Sequence, residues 1–217
     1  METQDAPSEF IFKVLPWIEA NRKRIVIVLG LAALAILVYS FLSYQRDQKE
    51  INAGQALTQA MMPSGGQPVD AALLKVAQQY PATVAGERAG VAAAAALFEE
   101  NKFTDAQAQF QKYLEAHPEG QFAAQAALGV AASLDAQGKT DAAITAYQKV
   151  LSSGADASTV TAAKFALARL YEAQGKLAEA QKSYEDVARS SNPNSSLYSE
   201  AGLRAMELKS KLPAVKK

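Results

Sequence analysis

The 217-residue chain has no cysteine, one histidine and one tryptophan. Without cysteine there are no disulfides, no thiolate metal site, no cysteine nucleophile and no lipidated thiol. One histidine cannot build a histidine-rich centre, so neither a metal nor a cofactor is expected. Neither sign of charge is in excess, with 22 Lys+Arg against 22 Asp+Glu. The balance holds locally, at 6 and 6 in residues 1–50 and 16 and 16 in residues 51–217. The basic footprint of a nucleic-acid binder is therefore missing, and no nucleic-acid partner is expected. Aromatics are scarce at 8%, although hydrophobic residues reach 49%. Alanine supplies much of the difference, with 45 residues. It is the strongest helix former and a poor strand former, which excludes an all-β fold.

The first thing present is a long apolar run. Ile25 to Leu42 are 18 consecutive positions without a charge, and 12 of them are Ile, Val, Leu or Phe. As a helix they cover about 27 Å, close to a hydrocarbon core of about 30 Å. Their insertion is favoured by about 4–7 kcal/mol, and no charged residue opposes it. A buried core helix would carry a polar stripe over five turns. A cleaved signal peptide would have a shorter run and a small-x-small site, which Tyr39-Ser40-Phe41-Leu42-Ser43-Tyr44 does not offer. The reading is an uncleaved signal anchor. Lys13, Arg22, Lys23 and Arg24 precede the run, against Arg46 and Lys49 within twenty residues after it. That asymmetry places the N-terminus in the cytoplasm and the rest of the chain outside. Trp17 on one side, and Tyr39 and Tyr44 on the other, sit where an aromatic belt would. Phe10–Trp17 reads either as an interfacial segment or as a disordered tail.

The remainder repeats itself every 37 residues. Asn101, Gly138 and Gly175 are each followed by Lys. Five positions after each stands Ala106, Ala143 or Ala180, and four further on Phe110, Tyr147 or Tyr184. Four positions before each stands Leu97, Leu134 or Tyr171. The pattern has a physical reading. A helix ends at the Gly or Asn, which tolerate the left-handed conformation. A second helix opens with Asp105, Asp141 or Glu179 in its first turn, favourable at that end of the helix dipole. The alanine admits a close neighbour, and the aromatic on the same face fills the next gap. Such αα-hairpins at a fixed period stack into a solenoid. Counting back 37 maps Phe110 to Leu73, Tyr113 to Val76 and Pro118 to Pro81. A degenerate first hairpin is thus expected from about Gln45–Met61 and Val69–Tyr80, joined by Pro63-Ser64-Gly65-Gly66. Ser196–Leu212 reads as a polar capping helix stopped by Pro213.

These residues resemble the tetratricopeptide repeat (TPR). The matches are Leu97, Asn101, Ala106, Phe110 and Pro118, then Leu134, Gly138, Ala143 and Tyr147. The third set is Leu167, Ala168, Tyr171, Gly175, Ala180 and Tyr184, with Pro193 one position late. The expected architecture is all-α, a single N-terminal transmembrane helix followed by a TPR-like α-solenoid of three to four hairpins with a capping C-terminal helix. The boundaries are 1–24 for a cytoplasmic tail, 25–44 for the membrane helix, 45–195 for the solenoid and 196–217 for the cap and tail.

Motifs of catalysis are weak. Gly138-Lys139-Thr140 resembles the end of a phosphate loop, but Ser133 stands where its first glycine belongs. His117 precedes Pro118, where a helix must end. Glu99-Glu100 and Glu185-Asp186 are neighbours on a helix and point apart. Asn194-Ser195-Ser196 fits a glycosylation acceptor, a frequent motif. No enzyme activity is expected. The resemblance implies instead a concave groove lined by first-helix residues. Carried over, these are Arg88, Val91 and Phe98, then Gln125, Leu128 and Asp135, then Phe165, Arg169 and Glu172. The partner-binding set read from them is Arg88, Phe98, Leu128, Asp135, Phe165, Arg169 and Glu172.

Over most of the chain, the arrangement is similar to that of one bacterial family. Trp17-Ile18-Glu19-Ala20-Asn21-Arg22-Lys23 before the span, Tyr44-Gln45 after it and the helix reaching Tyr80-Pro81 are similar to inner-membrane-anchored periplasmic TPR proteins. Those proteins accompany the Sec translocon and periplasmic chaperones. The resemblance implies a non-enzymatic, membrane-inserted adaptor, with its C-terminal domain in the periplasm, for envelope proteins or newly exported chains. The alternative is a scaffold for envelope assembly or cell division. The stretch Phe110–Pro118 is similar to the Tol–Pal-associated TPR protein.

Overall fold

The computed structural model describes residues 6–62, 66–190 and 195–212. Among them the regular structure is all α-helical. The chain divides into two units, residues 1–51 and 52–217. Helix α1 runs from Ala6 to Met61. In the first unit the large apolar side chains from Val26 to Leu42 are 50–74% exposed. This is the one run among the described residues long and apolar enough to cross a membrane, at a mean hydropathy of 2.8. Such a run belongs either to a membrane span or to a signal sequence.

The second unit is a stack of hairpins. After the end of α1 come α2 (Val69–Gln79), α3 (Val84–Glu99), α4 (Phe103–Ala116), α5 (Ala123–Ala136) and α6 (Thr140–Ser152). Then follow α7 (Ala157–Ala173), α8 (Leu177–Ser190) and α9 (Ser196–Lys211). The repeat signature explains each turn. Asn101, Gly138 and Gly175 take φ of 61°, 72° and 73°. The amide after each reaches back across the helix end: Lys102 N to Leu97 O at 2.9 Å, Lys139 N to Leu134 O at 3.0 Å, Lys176 N to Tyr171 O at 2.9 Å. This double reversal satisfies carbonyls that the helix end leaves open, and only Gly or Asn adopts it at little cost. Gly138-Lys139-Thr140 is thus the seam between α5 and α6. The turn at residues 63–65, Pro193, Asn194 and Pro213 lie outside the described residues.

No single core holds the stack together. The buried residues form four layers, each shared by a hairpin and the first helix of the next. The first unites Ala53, Leu57 and Ala60 of α1 with Leu73 and Val76 of α2 and Ala89 of α3. The second joins α3, α4 and α5 around Phe110, and the third joins α5, α6 and α7 around Tyr147. The fourth joins α7, α8 and α9 around Tyr184. Ala106, Ala143 and Ala180 are each fully buried. The three aromatics are at most 4% exposed. Helix α9 therefore takes the place of a first helix on the fourth layer, burying Ala201, Ala205 and Leu208. Leu203 and Met206 remain 69% and 71% exposed on it.

Candidate functional site

Helix α3 touches α5, and α5 touches α7, so the first helices of successive hairpins form the inner layer of the stack. The residues read from the sequence as groove-lining all lie on these three helices. Four of them meet near the C-terminal end, Arg88 and Gln125 line a trough, and Val91, Phe98 and Leu128 pack on core layers.

Asp135, Phe165, Arg169 and Glu172 come together near the C-terminal end. The Arg169 guanidinium donates to Asp135 Oδ2 at 3.3 Å. Glu172 accepts from the Tyr184 hydroxyl at 3.1 Å, and the Phe165 ring meets Tyr184 edge-on at 5.5 Å. Burial, and then the Glu172 carboxylate, hold the Tyr184 hydroxyl well above the usual tyrosine range. In the layer before it, burial pushes Tyr147 up to about 12, with the charge of Asp135 adding to the effect. Both phenols therefore stay neutral. A cleft of about 340 Å³ opens here, lined by Arg169, Glu172 and Ala173 and, from α9, by Glu200 and Arg204.

Arg88 belongs to the trough, which has a volume of about 420 Å³. Its floor is α3, with Ala92, Ala95, Ala96 and Glu99. Its walls are Met61, Val69 and Leu73 on one side and Phe122 and Gln125 on the other. The apolar middle of the expected strip serves mainly as packing. Val91 is 2% exposed. Leu128 rests on the third core layer. Phe98 is half-buried against Phe103, edge-on at 5.1 Å.

Sequence reasoning missed the trough walls, because Met61 and Val69 belong to the degenerate first hairpin. The signal that could have found its floor is Ala92, Ala95 and Ala96 at i, i+3 and i+4, in step with Arg88 and Glu99. It also missed the neighbourhood of His117. Helix α4 stops at that residue, as expected, with His117 N on Tyr113 O at 2.8 Å. Yet His117 Nδ1 lies 3.6 Å from Glu87, which also accepts from the Tyr113 hydroxyl at 3.1 Å. The same hydroxyl accepts from Phe122 N at 3.3 Å. This hub ties α3, α4 and the loop before α5 together. A cavity of about 280 Å³ lies beside it, between α2, α3 and α4. Glu100 is taken up by Lys102 at 2.6 Å, and Glu185 and Asp186 both face Arg189. Among the described residues no three metal-binding side chains gather.

In fold, the chain is similar to a tetratricopeptide repeat protein from Parabacteroides merdae, with a TM-score of 0.54 at 14% identity. The match covers 73% of this chain and 62% of that one, and at this identity it is a likeness of fold alone. A weaker likeness, TM-score 0.45 at 14% identity, is to BtubC (BKLC) from P. vanneervenii, over 79% of this chain and 76% of that one. No curated protein matches the sequence significantly. The sequence profile described as a tetratricopeptide repeat covers residues 161–194. The profile of the tetratricopeptide repeat-like domain covers residues 16–145, more than half of the chain, and the chain belongs to that family.

Proposed function

We propose that this protein is a membrane-tethered, non-enzymatic adaptor whose inner face holds segments of other proteins. Tetratricopeptide repeats generally mediate protein–protein contacts, and proteins of this fold typically bind rather than catalyse. The observation that carries the tethering is the exposure of every large apolar side chain from Val26 to Leu42. So much uncovered apolar surface is unfavourable in water, and lipid removes the penalty. The cationic residues Arg22, Lys23 and Arg24 at one edge of the run support an N-terminus in the cytoplasm. The solenoid then lies on the far side of an inner membrane, in the periplasm. There its partners would be newly exported chains, the translocon, periplasmic chaperones or other envelope components. That last step rests on the resemblance of the segments flanking the span.

The test is site-specific photocrosslinking in intact cells. A crosslinker is placed at the exposed inner-face positions Gln125 and Arg169, and at Gln111 and Lys149 on second helices. The reading expects discrete protein adducts from the inner pair, with those formed at position 125 lost on Arg169→Glu. Adducts only from the outer pair would overturn it.

A further inference from the structure

The trough on α3 carries information about what it holds. Arg88, Ala92, Ala95 and Glu99 stand at i, i+4, i+7 and i+11, which places them along one face of the helix. The face therefore reads cation, methyl, methyl, carboxylate. Within the solenoid, Ala106, Ala143 and Ala180 are the positions where one helix lets another approach. Ala92 and Ala95 are small in the same way, but they are only half-buried and their outer side lines the trough. Apolar material stands open at its edge, with Met61 53% exposed and Val69 36% exposed.

The two ends are also unlike the rest of the inner face. Asp135 is paired with Arg169, and Glu172 is occupied by Tyr184. Among the described residues neither Arg88 nor Glu99 makes an ion pair or a side-chain hydrogen bond. Eleven residues of helix separate them, about 16 Å along the axis. An extended peptide laid over this floor would bury backbone N–H and C=O groups against methyls that can neither donate nor accept. A helix brings its own backbone partners.

We propose that this trough seats an amphipathic helix of a protein partner. Its apolar face lies on Ala92 and Ala95. An acidic side chain meets Arg88, and a basic one about three turns away meets Glu99. The proposal rests on the inner face being the binding face, and it names the class of segment bound there.

The full-length chain in detergent is titrated with labelled synthetic helical peptides. All carry one leucine face, and their ends, eleven residues apart, are Glu/Lys, Glu/Glu, Lys/Lys or Gln/Gln. Two exposed ion pairs should make the Glu/Lys peptide bind about fivefold tighter than Gln/Gln, with the advantage fading in high salt. Arg88→Glu, a change at an exposed position, should move the preference to Lys/Lys. Ala95→Phe fills the trough and should weaken every peptide at least about tenfold, a loss on the scale of one blocked central contact. Equal affinities for the four peptides, no binding of any, or Ala95→Phe without effect would each overturn the proposal. If Ala95→Phe is silent while Arg169→Glu still abolishes the cellular adducts, only the helix seat falls. If both are silent, the inner-face reading falls with it.

Discussion

Gly129 and Gly202 both sit inside helices, α5 and α9, and replacing each by alanine should have opposite effects. Glycine in a helix interior costs about 0.5–1 kcal/mol relative to alanine, so the change is ordinarily stabilising. At Gly202 a Cβ meets nothing within 4 Å, and the ordinary gain should appear. At Gly129 it would lie 2.5 Å from Cε2 and Cζ of Phe110. Carbon atoms rest at about 3.5–4.0 Å, so the ring must retreat by about 1 Å. It has little room to do so, being 4% exposed among Ala94, Leu97, Ala106 and Ala126. Overpacking of this kind costs about 1–3 kcal/mol, and set against the propensity gain it leaves a net loss of up to about 2.5 kcal/mol. In a unit of this size each kcal/mol moves the melting midpoint by about 2–4 °C. Thermal melts of residues 45–217 followed by circular dichroism should therefore show Gly129→Ala falling by several degrees and Gly202→Ala rising by a few. Adding Phe110→Leu to Gly129→Ala should recover part of the loss. A rise in both glycine variants would refute the packing of Phe110 on Gly129.

Ala143 is fully buried in the third layer, so Ala143→Leu should cost about 1–3 kcal/mol; an unchanged melting midpoint would contradict the 37-residue register. Asp156 caps α7, accepting from the hydroxyls of Ser158 and Thr159 and from Thr159 N at 3.1 Å, and these bonds hold its carboxyl far below the usual range. Because the folded value is depressed, the stability it adds is complete above the unfolded value near about 3.9 and is lost as pH falls towards the folded one. Asp156→Asn, which caps without titrating, should flatten the loss of stability below about pH 4 in urea titrations at pH 5 and pH 3; parallel behaviour of the two proteins would count against it. For the proposed orientation, alkaline phosphatase fused to the C-terminus should be active in cells, and an inactive fusion at normal expression would reverse the topology.

The turns and hairpin cores were legible because they rest on local chemistry. A left-handed C′ residue requires Gly or Asn, and a close helix crossing requires alanine, so Asn101, Gly138, Gly175 and the buried alanines stand out at a fixed spacing. The site was legible only in part. Residues such as Arg169 could be assigned to a helix. The bond from Arg169 to Asp135, 34 positions away, has no counterpart in the other hairpins and so no period to betray it. The packing of Phe165 on Tyr184 likewise converts a residue read as groove-lining into one shared with the core. The trough was hidden for another reason. Two of its wall residues, Met61 and Val69, come from the first hairpin, whose glycine and aromatic signals have decayed.

The absence of cysteine allows the central claim, that the inner helices form the binding face, to be measured directly. A single cysteine is introduced in turn at Gln125, Arg169, Gln111 and Lys149, all exposed positions. Its alkylation rate is followed with and without the partner captured by crosslinking. The account predicts strong protection at positions 125 and 169 and unchanged rates at 111 and 149. Protection confined to 111 and 149 would contradict it.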